Sequence, residues 1–215
     1  MSQPEVVVID YGVGNLLSVQ RALEFCGASV VLTAEPKQIL AAKHVVLPGV
    51  GAFANGMRAL ERLGLNNVII ELGLRKTPLL GICLGMQLLL EESEEFGITS
   101  GLGLIPGRVI PVPEFDIFGS KQKVPHIGWR GLVPGYSDEK WQYNYLQDVQ
   151  AGDAVYFVHS FMASPTLIEH RIADVVYGGH KIAAMIRCDQ ITGCQFHPEK
   201  SGEIGLKILR RFIAE

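Results

Sequence analysis

Short apolar runs alternate with amphipathic stretches along the first ninety residues. Val6–Ile9 is a continuous β-branched run, typical of a strand that is buried on both faces. A Gly-rich turn follows it, and then apolar residues recur at helical spacing from about Leu16 to Phe25, where Gly27 ends the pattern. The cycle continues with strands expected at 30–32, 44–47 and 78–82, and with helices expected at 36–42, 53–63, 65–75 and from 84 to about 92. This alternation predicts an α/β fold with a mostly parallel central sheet and helices on both faces.

The second half of the chain differs in composition and periodicity, with more Gly and Pro and few helix-length patterns. Its β-like runs predict a mixed or antiparallel extension of the sheet and lie at 109–110, 154–158, 172–177, 183–187 and 193–196. Ser201 is expected to cap one final helix through Phe212. Residues 114–150 carry both tryptophans without clear periodicity and are expected to form a surface excursion.

Composition narrows the class of protein. A chain of 215 residues is expected to form a single domain, 1–215. Its composition, with 48% hydrophobic and 19% charged residues, excludes disorder. The net charge of −3 provides no overall positive field, so no nucleic-acid partner is expected. No apolar window reaches the roughly 18 residues that a membrane span requires, and Met1–Glu5 does not resemble a secretion signal.

The four cysteines form no C-x-x-C pair, which argues against a metal ribbon or a disulfide framework. No metal and no cofactor are therefore expected, and reduced thiols suit a cytoplasmic protein. One cysteine stands out, because Gly81-Ile82-Cys83-Leu84-Gly85 joins a buried strand to a helix in the nucleophile-elbow pattern. A sulfur at such a turn meets unpaired N–H groups that favour the thiolate. A buried structural cysteine between glycines fits the pentapeptide equally well.

A thiolate nucleophile needs a base, and His197 is the best placed of the six histidines. Glu199 follows it by two residues, so in an extended segment both side chains point the same way and the carboxylate could orient the imidazole. An ordinary histidine beside a solvated glutamate is the simpler alternative. At 48–51, Pro-Gly-Val-Gly follows the preceding strand, where Val50 or Gly51 and the backbone of Leu84 could donate to an oxyanion; alone, this tetrapeptide could be a mere turn.

Four motifs together resemble the class I (triad) glutamine amidotransferases: G-I-C-L-G-M-Q at 81–87, H-P-E-K-S at 197–201, P-G-V-G-A-F at 48–53 and P-H-I-G-W at 125–129. The last two look like the glutaminase subunits of imidazole glycerol phosphate synthase. The resemblance spans essentially the whole chain and implies a flavodoxin-like fold of that class.

What the resemblance implies is hydrolysis of L-glutamine by a Cys83-His197-Glu199 triad. It also implies substrate-binding roles, which would be taken by Gly49, Gln87, Glu95, Ser160 and Phe161. The ammonia would pass to a (β/α)8-barrel synthase in a heterodimer, which makes imidazole glycerol phosphate and AICAR in histidine biosynthesis. Asn15, Trp129 and Lys200 match positions that face this barrel in the family.

Arg130 departs from the family pattern, which usually has Asn after P-H-I-G-W. Gly202 and the stretches 113–123 and 136–145 also leave the identity of the synthase open. One alternative is a paralogous glutaminase that feeds another synthase, for example one that installs nitrogen on surface-polysaccharide sugars. A stand-alone cysteine hydrolase or peptidase and a catalytically silent binding module are further alternatives. The motifs at 48–53 and 125–129 argue against the hydrolase, and the intact triad argues against the silent module.

Overall fold

The first half of the chain forms four parallel strands separated by helices, in a computed structural model that describes residues 5–136, 141 and 145–215. The strands are Glu5–Ile9 (β1), Ser29–Thr33 (β2), His44–Leu47 (β3) and Leu79–Ile82 (β4). The helices between and after them are Leu16–Phe25 (α1), Pro36–Ala41 (α2), Phe53–Arg62 (α3), Leu65–Leu74 (α4) and Leu84–Leu88 (α5). The predicted α/β alternation is confirmed in type and order.

The second half contributes nine further strands and the helix Gly202–Ala214 (α6). The strands are Leu90–Ser93 (β5), Thr99–Ser100 (β6), Ile105–Pro111 (β7), His126–Pro134 (β8), Ala154–His159 (β9), Phe161–Pro165 (β10), Arg171–Tyr177 (β11), His180–Cys188 (β12) and Ile191–Cys194 (β13). They complete a nine-stranded sheet in the order β2-β1-β3-β4-β13-β12-β11-β8-β9 and form a four-stranded sheet in the order β10-β7-β5-β6. The predicted mixed extension is confirmed, since β12, β11, β8 and β9 pair antiparallel.

The central strands β1, β3, β4 and β13 of the large sheet are buried on both faces, as continuous apolar runs predict. Val6 and Val8 of β1 point into a cluster that includes α1 and α6, whereas Val7 and Ile9 point into a second cluster that includes α3 and α4. None of the described helices is long and apolar enough to cross a membrane.

The pairing of β13 with β4 places the candidate site. These strands run parallel with Cys194 opposite Ile82, although more than a hundred residues separate them in sequence. The residues that follow each strand therefore emerge at the same edge of the sheet, and the amide of Cys83 donates a 2.8 Å hydrogen bond to the carbonyl of Cys194.

The helix expected from Leu84 to about Glu92 is wrong in its second half. Helix α5 ends at Leu88, and the next residues form β5 beside β7. The carbonyls of Leu88 and Leu89 accept hydrogen bonds from Leu102 and Leu104, so the returning chain supplies partners that helix continuation would have used. Tertiary pairing therefore overrides the helical preference of this leucine-rich stretch.

The surface excursion expected at 114–150 is also wrong in part. Strand β8 lies inside the large sheet, and Trp141 is buried with its indole N–H donating to the carbonyl of Ile172 at 2.9 Å. Tyr145 is buried against the ring of Phe212. Residues 1–4 lie outside the described residues, as do 137–140 and 142–144 of the variable 136–145 segment.

Candidate active site

Cys83 occupies a tight turn between β4 and α5, with a left-handed φ of 54°. A non-glycine residue in this region is strained, which is typical of functional turns. The flanking glycines make the turn possible. A Cβ on Gly85 would lie 1.8 Å from the carbonyl oxygen of Leu47, and one on Gly81 would lie 2.7 Å from that of Gly85. The turn places the Cys83 sulfur at the rim of the sheet, in a cavity of about 350 Å³.

His197 and Glu199 form the ion pair that the sequence suggests. Nδ1 of His197 lies 2.8 Å from Oε1 of Glu199, and both side chains are buried. Residues Pro198–Lys200 form a 3-10 turn, so the extended conformation assumed for this spacing is wrong although the two side chains meet. Burial alone would lower the pKa of His197, but hydrogen bonds to Cys83 and Glu199 raise it to about 9. At this pKa the imidazole is protonated at neutral pH, and it lines the same cavity as the Cys83 sulfur.

Ser201 was expected to cap the last helix, but its side chain supports His197 instead. It occupies the position before α6, but its side chain makes no capping hydrogen bond. Its hydroxyl donates to the carbonyl of His197 at 2.6 Å and accepts from the amide of Tyr156 at 3.0 Å. The amide of His197 in turn donates to the carbonyl of Tyr156 at 3.0 Å, so two hydrogen bonds join β9 to the segment 197–201.

The cavity gathers most of the residues singled out in the sequence. Its walls include Val50, Gly51, Cys83, Leu84, Gln87, Glu95, Ser160, Phe161 and His197. Gly49 lies just behind the wall, where an added Cβ would be 2.5 Å from the hydroxyl of Tyr11. Glu95 accepts a 2.6 Å hydrogen bond from the amide of Phe53, which ties it to the first residue of α3. The cavity can therefore hold a small polar molecule with its ends against the sulfur and a carboxylate.

Gln87 lies one helical turn after Cys83 and faces the cavity. Its amide nitrogen donates to the carbonyl of Phe161 at 3.1 Å and to Oε1 of Gln195 at 3.0 Å. Gln195 is fully buried and places its own amide nitrogen 3.8 Å from the Cys83 sulfur. Sequence reasoning missed Gln195, although a polar residue just after a buried strand and two positions before His197 was the available signal.

The segment at 48–51 is held closed over the nucleophile. The amide of Leu84, an expected oxyanion donor, donates to the carbonyl of Gly49 at 3.3 Å. The hydroxyl of Tyr11 anchors the segment by donating to the carbonyl of Pro48 at 2.7 Å. Gly51 has a φ of 96°, which only glycine adopts easily.

Asn15, Trp129 and Lys200, the three expected partner-facing residues, are all exposed. Trp129 packs edge-on against Tyr156, with ring centroids 6.1 Å apart, and Tyr156 is the residue whose carbonyl holds the amide of His197. Tyr156 therefore connects the exposed indole of Trp129 to the backbone of His197.

The other cysteines, Cys26, Cys188 and Cys194, are free thiols away from a turn of this kind. Burial raises the pKa of all three. Among the described residues no cluster of three or more potential metal ligands occurs.

Comparison with known proteins agrees with this geometry. Residues 7–215 match the model of the family "Glutamine amidotransferase class-I". The chain is 49% identical to imidazole glycerol phosphate synthase subunit HisH 1 of Legionella pneumophila (strain Lens) over 208 residues, covering 97% of this chain and 98% of the relative. It is 44% identical to subunit HisH of Geobacillus sp. (strain WCH70) over 207 residues, covering 96% and 95%.

The fold is shared with solved structures at much lower identity. A crystal structure described as a glutamine amidotransferase superposes with a TM-score of 0.71 at 15% identity, covering 97% of this chain and 99% of that one. The family match spans nearly the whole chain and includes the turn of Cys83 and the His197–Glu199 pair. The chain belongs to the class I glutamine amidotransferase family.

Proposed function

We propose that this chain is the glutaminase subunit of imidazole glycerol phosphate synthase, acting as one domain in histidine biosynthesis. The observation that carries the proposal is the grouping of Cys83 and His197 in one cavity, with Glu199 2.8 Å from the His197 imidazole. The identities of 44–49% to subunits of that synthase over nearly the full chain support the pathway. The substrate is L-glutamine, whose amide fits a thiol nucleophile and whose amino-acid end fits a polar cavity.

In the first half of the reaction, the Cys83 thiolate attacks the side-chain amide carbon of glutamine and forms a carbon–sulfur bond. The carbonyl oxygen becomes an oxyanion, which the amide of Leu84 and an amide of Val50 or Gly51 would hold. His197 gives its proton to the amide nitrogen, the carbon–nitrogen bond breaks, and ammonia leaves with a γ-glutamyl thioester on Cys83.

In the second half, the neutral His197 takes a proton from water as the water oxygen attacks the thioester. The carbon–sulfur bond breaks, glutamate leaves, and the thiolate–imidazolium pair is restored. Glu199 keeps its hydrogen bond to Nδ1 of His197 throughout, so the other ring nitrogen faces the reacting atoms. Gln87, Glu95 and the Ser160–Phe161 backbone would hold the amino-acid end.

The ammonia passes to a (β/α)8-barrel synthase in a cytoplasmic heterodimer. Support for the docking face comes from the exposure of Trp129, Asn15 and Lys200 and from the contact of Trp129 with Tyr156 behind His197. The free thiols suit a reducing compartment. A paralogous glutaminase that feeds another synthase is the competing function, and Arg130, exposed beside Trp129, is the observation that favours it.

Replacing Cys83→Ala tests the proposal. Glutamine-dependent synthesis by the complex with the barrel synthase should be lost, whereas synthesis from added ammonium salt should remain. Cys188→Ala removes a free thiol at the far end of β12 and serves as the matched control, with both activities retained. Loss of ammonia-dependent synthesis in Cys83→Ala would instead mean that Cys83 is structural. Failure of every preparation to use the histidine-pathway substrate would favour the paralogous synthase.

A further inference from the structure

Two histidines that the mechanism does not use are buried next to each other, and one of them, His159, lines the cavity. His126 begins β8 and His159 ends β9, and the two residues are directly paired in the antiparallel register. Nδ1 of His126 lies 3.0 Å from Nε2 of His159. His126 is 0% exposed and His159 is 5% exposed, so this histidine pair has little contact with solvent.

The hydrogen bonds of the histidine pair fix where both protons lie. Nδ1 of His159 is 2.9 Å from the carbonyl oxygen of Phe161, and a carbonyl can only accept, so His159 carries its proton on Nδ1. Its Nε2 is then an acceptor, and Nδ1 of His126 must donate to it. Nε2 of His126 is buried without a partner among the described residues, so a proton there would be a buried donor without an acceptor.

Packing holds this arrangement in place. The ring of His126 stacks against Tyr177 at a centroid distance of 4.1 Å and against Phe157 at 5.0 Å. Burial, reinforced by the neighbouring His159 and Arg130, lowers the pKa of His126 to about 4. Burial also lowers the pKa of His159 to about 4, although its hydrogen bond to Phe161 acts in the opposite direction. Both rings are neutral at physiological pH.

The carbonyl of Phe161 is where the histidine pair meets the cavity. It accepts one hydrogen bond from His159 and a second, of 3.1 Å, from the amide of Gln87. Because both nitrogens of His159 are engaged, His159 has no lone pair with which to serve as a base for Cys83. Its effect must therefore pass through the carbonyl that it holds.

We infer that His159, held by His126, is a positioning residue that fixes the Ser160–Phe161 backbone and the Gln87 side chain for binding of the amino-acid end of glutamine. This inference rests on the proposed glutaminase function. It assigns the histidine pair to substrate affinity and leaves proton transfer to His197.

The first test is spectroscopic and needs no substrate. Two-bond ¹H–¹⁵N correlation spectra of the full chain should show His126 and His159 neutral with the proton on Nδ1, without titration across the range around the ordinary histidine pKa of about 6.5. A proton on Nε2 of His159, or titration of either ring near pH 6.5, would overturn the inference.

The second test measures glutamine binding by protection of Cys83 from iodoacetamide, with the labelled position identified by mass spectrometry. His159→Leu removes the donor to Phe161 and should raise the glutamine concentration for half protection about tenfold. His159→Asn keeps an N–H near the position of Nδ1 and should bind within about threefold of wild type. His44→Asn, which changes a buried histidine at the other end of the sheet, should match wild type.

The outcomes separate the two proposals. Equal protection of wild type and His159→Leu would overturn the positioning role, as would a large loss of labelling rate without glutamine, since that would place His159 in the chemistry of Cys83. If His159→Leu does not fold, His159→Asn carries the test. About tenfold weaker glutamine binding in His159→Asn, with His44→Asn unchanged, would then overturn the positioning role, because the retained donor should rescue binding. Wild type that glutamine never protects would instead contradict the glutaminase proposal, and the positioning role would fall with it.

Discussion

The amide of Leu84 donates a hydrogen bond to the carbonyl of Gly49 at 3.3 Å, directly beside the nucleophile. That amide is a donor that the tetrahedral intermediate would need, so in this arrangement the oxyanion site is occupied by the protein's own carbonyl. Gly49 and Gly51 flank Val50. Because glycine backbone torsions are less restricted than those of other residues, the peptide groups on either side of Val50 can rotate readily. The closed segment can thus open without moving the strand, because Tyr11 holds the Pro48 carbonyl in place.

The isolated chain should therefore hydrolyse glutamine slowly. Removing one oxyanion donor typically costs an enzyme about 100-fold or more in rate, and here that donor is engaged elsewhere. Adding the substrate-loaded synthase should raise the glutaminase rate by a similar factor, measured as glutamate released. Turnover at the full rate by the purified chain alone would show that the Leu84–Gly49 hydrogen bond does not limit catalysis.

Stability should fall as the pH rises past neutrality because of His197. Its folded-state pKa of about 9 lies above the unfolded value of about 6.5, so the stabilisation is complete below about pH 6.5 and is lost as the pH rises to about 9. The shift corresponds to about 3 kcal/mol at most. Urea denaturation from pH 6 to 9.5 measures it.

Glu199→Gln should move this loss of stability to lower pH, since it removes one of the anionic partners that raise the His197 pKa. His180→Gln changes a half-buried histidine away from the triad, in which one ring nitrogen lies 2.8 Å from the Phe115 carbonyl, and should leave the pH profile unchanged. A wild-type profile that is flat between pH 6.5 and 9 would contradict the charge assignment of the triad.

Gly85→Ala should destabilise the fold by several kcal/mol, because the new methyl group would lie 1.8 Å from the Leu47 carbonyl oxygen in the adjacent strand. Neither backbone segment can move away without breaking the pairing of β3 with β4. Gly56→Ala is the control, since the nearest atoms to its methyl group would be flexible leucine ends at 3.2 Å, and alanine is the better helix former inside α3. Its effect on the free energy of unfolding should stay within about 1 kcal/mol, and similar values for both variants would contradict the close-packing account.

The sequence predicted the local elements well where hydrophobic periodicity and turn residues agreed. Helix α1 was predicted with its observed bounds, and β1 as a strand buried on both faces. The pairing of β13 with β4 could not be read from sequence, because nothing local specifies which distant strand completes a sheet. The helix predicted beyond Leu88 failed for the same reason, since the partner chain at 101–105 is non-local.

The candidate site follows a similar division. Cys83 and His197 were identified because their chemistry needs particular residue types in particular local settings. Gln195 and His159 were not, because a polar side chain buried behind a cavity has no local pattern and is recognised only by its partners. Trp141 was misassigned to the surface because the indole N–H that needs a partner finds it at Ile172, which no periodicity reveals.

We expect two separable roles for Glu95, and variants at this position should distinguish them. One oxygen accepts the amide of Phe53 at the start of α3, while the carboxylate faces the cavity, where it would attract the amino group of glutamine. Glu95→Gln keeps an acceptor for Phe53 but loses the charge, so KM for glutamine should rise at least tenfold with stability within about 0.5 kcal/mol of wild type. Glu95→Ala should show the same KM and also lose about 1 kcal/mol, as helices do without a cap.

The control for Glu95 is its neighbour. Glu94→Gln removes a carboxylate that lies 3.2 Å from Arg108 in a largely exposed pair, which contributes little to stability, so both KM and unfolding should remain near wild type. Steady-state kinetics with the loaded complex and urea denaturation of the chain give the two readouts independently. If Glu95→Gln left KM unchanged while Glu95→Ala raised it, the carboxylate would act only through the start of α3, and the charge would have no part in holding glutamine.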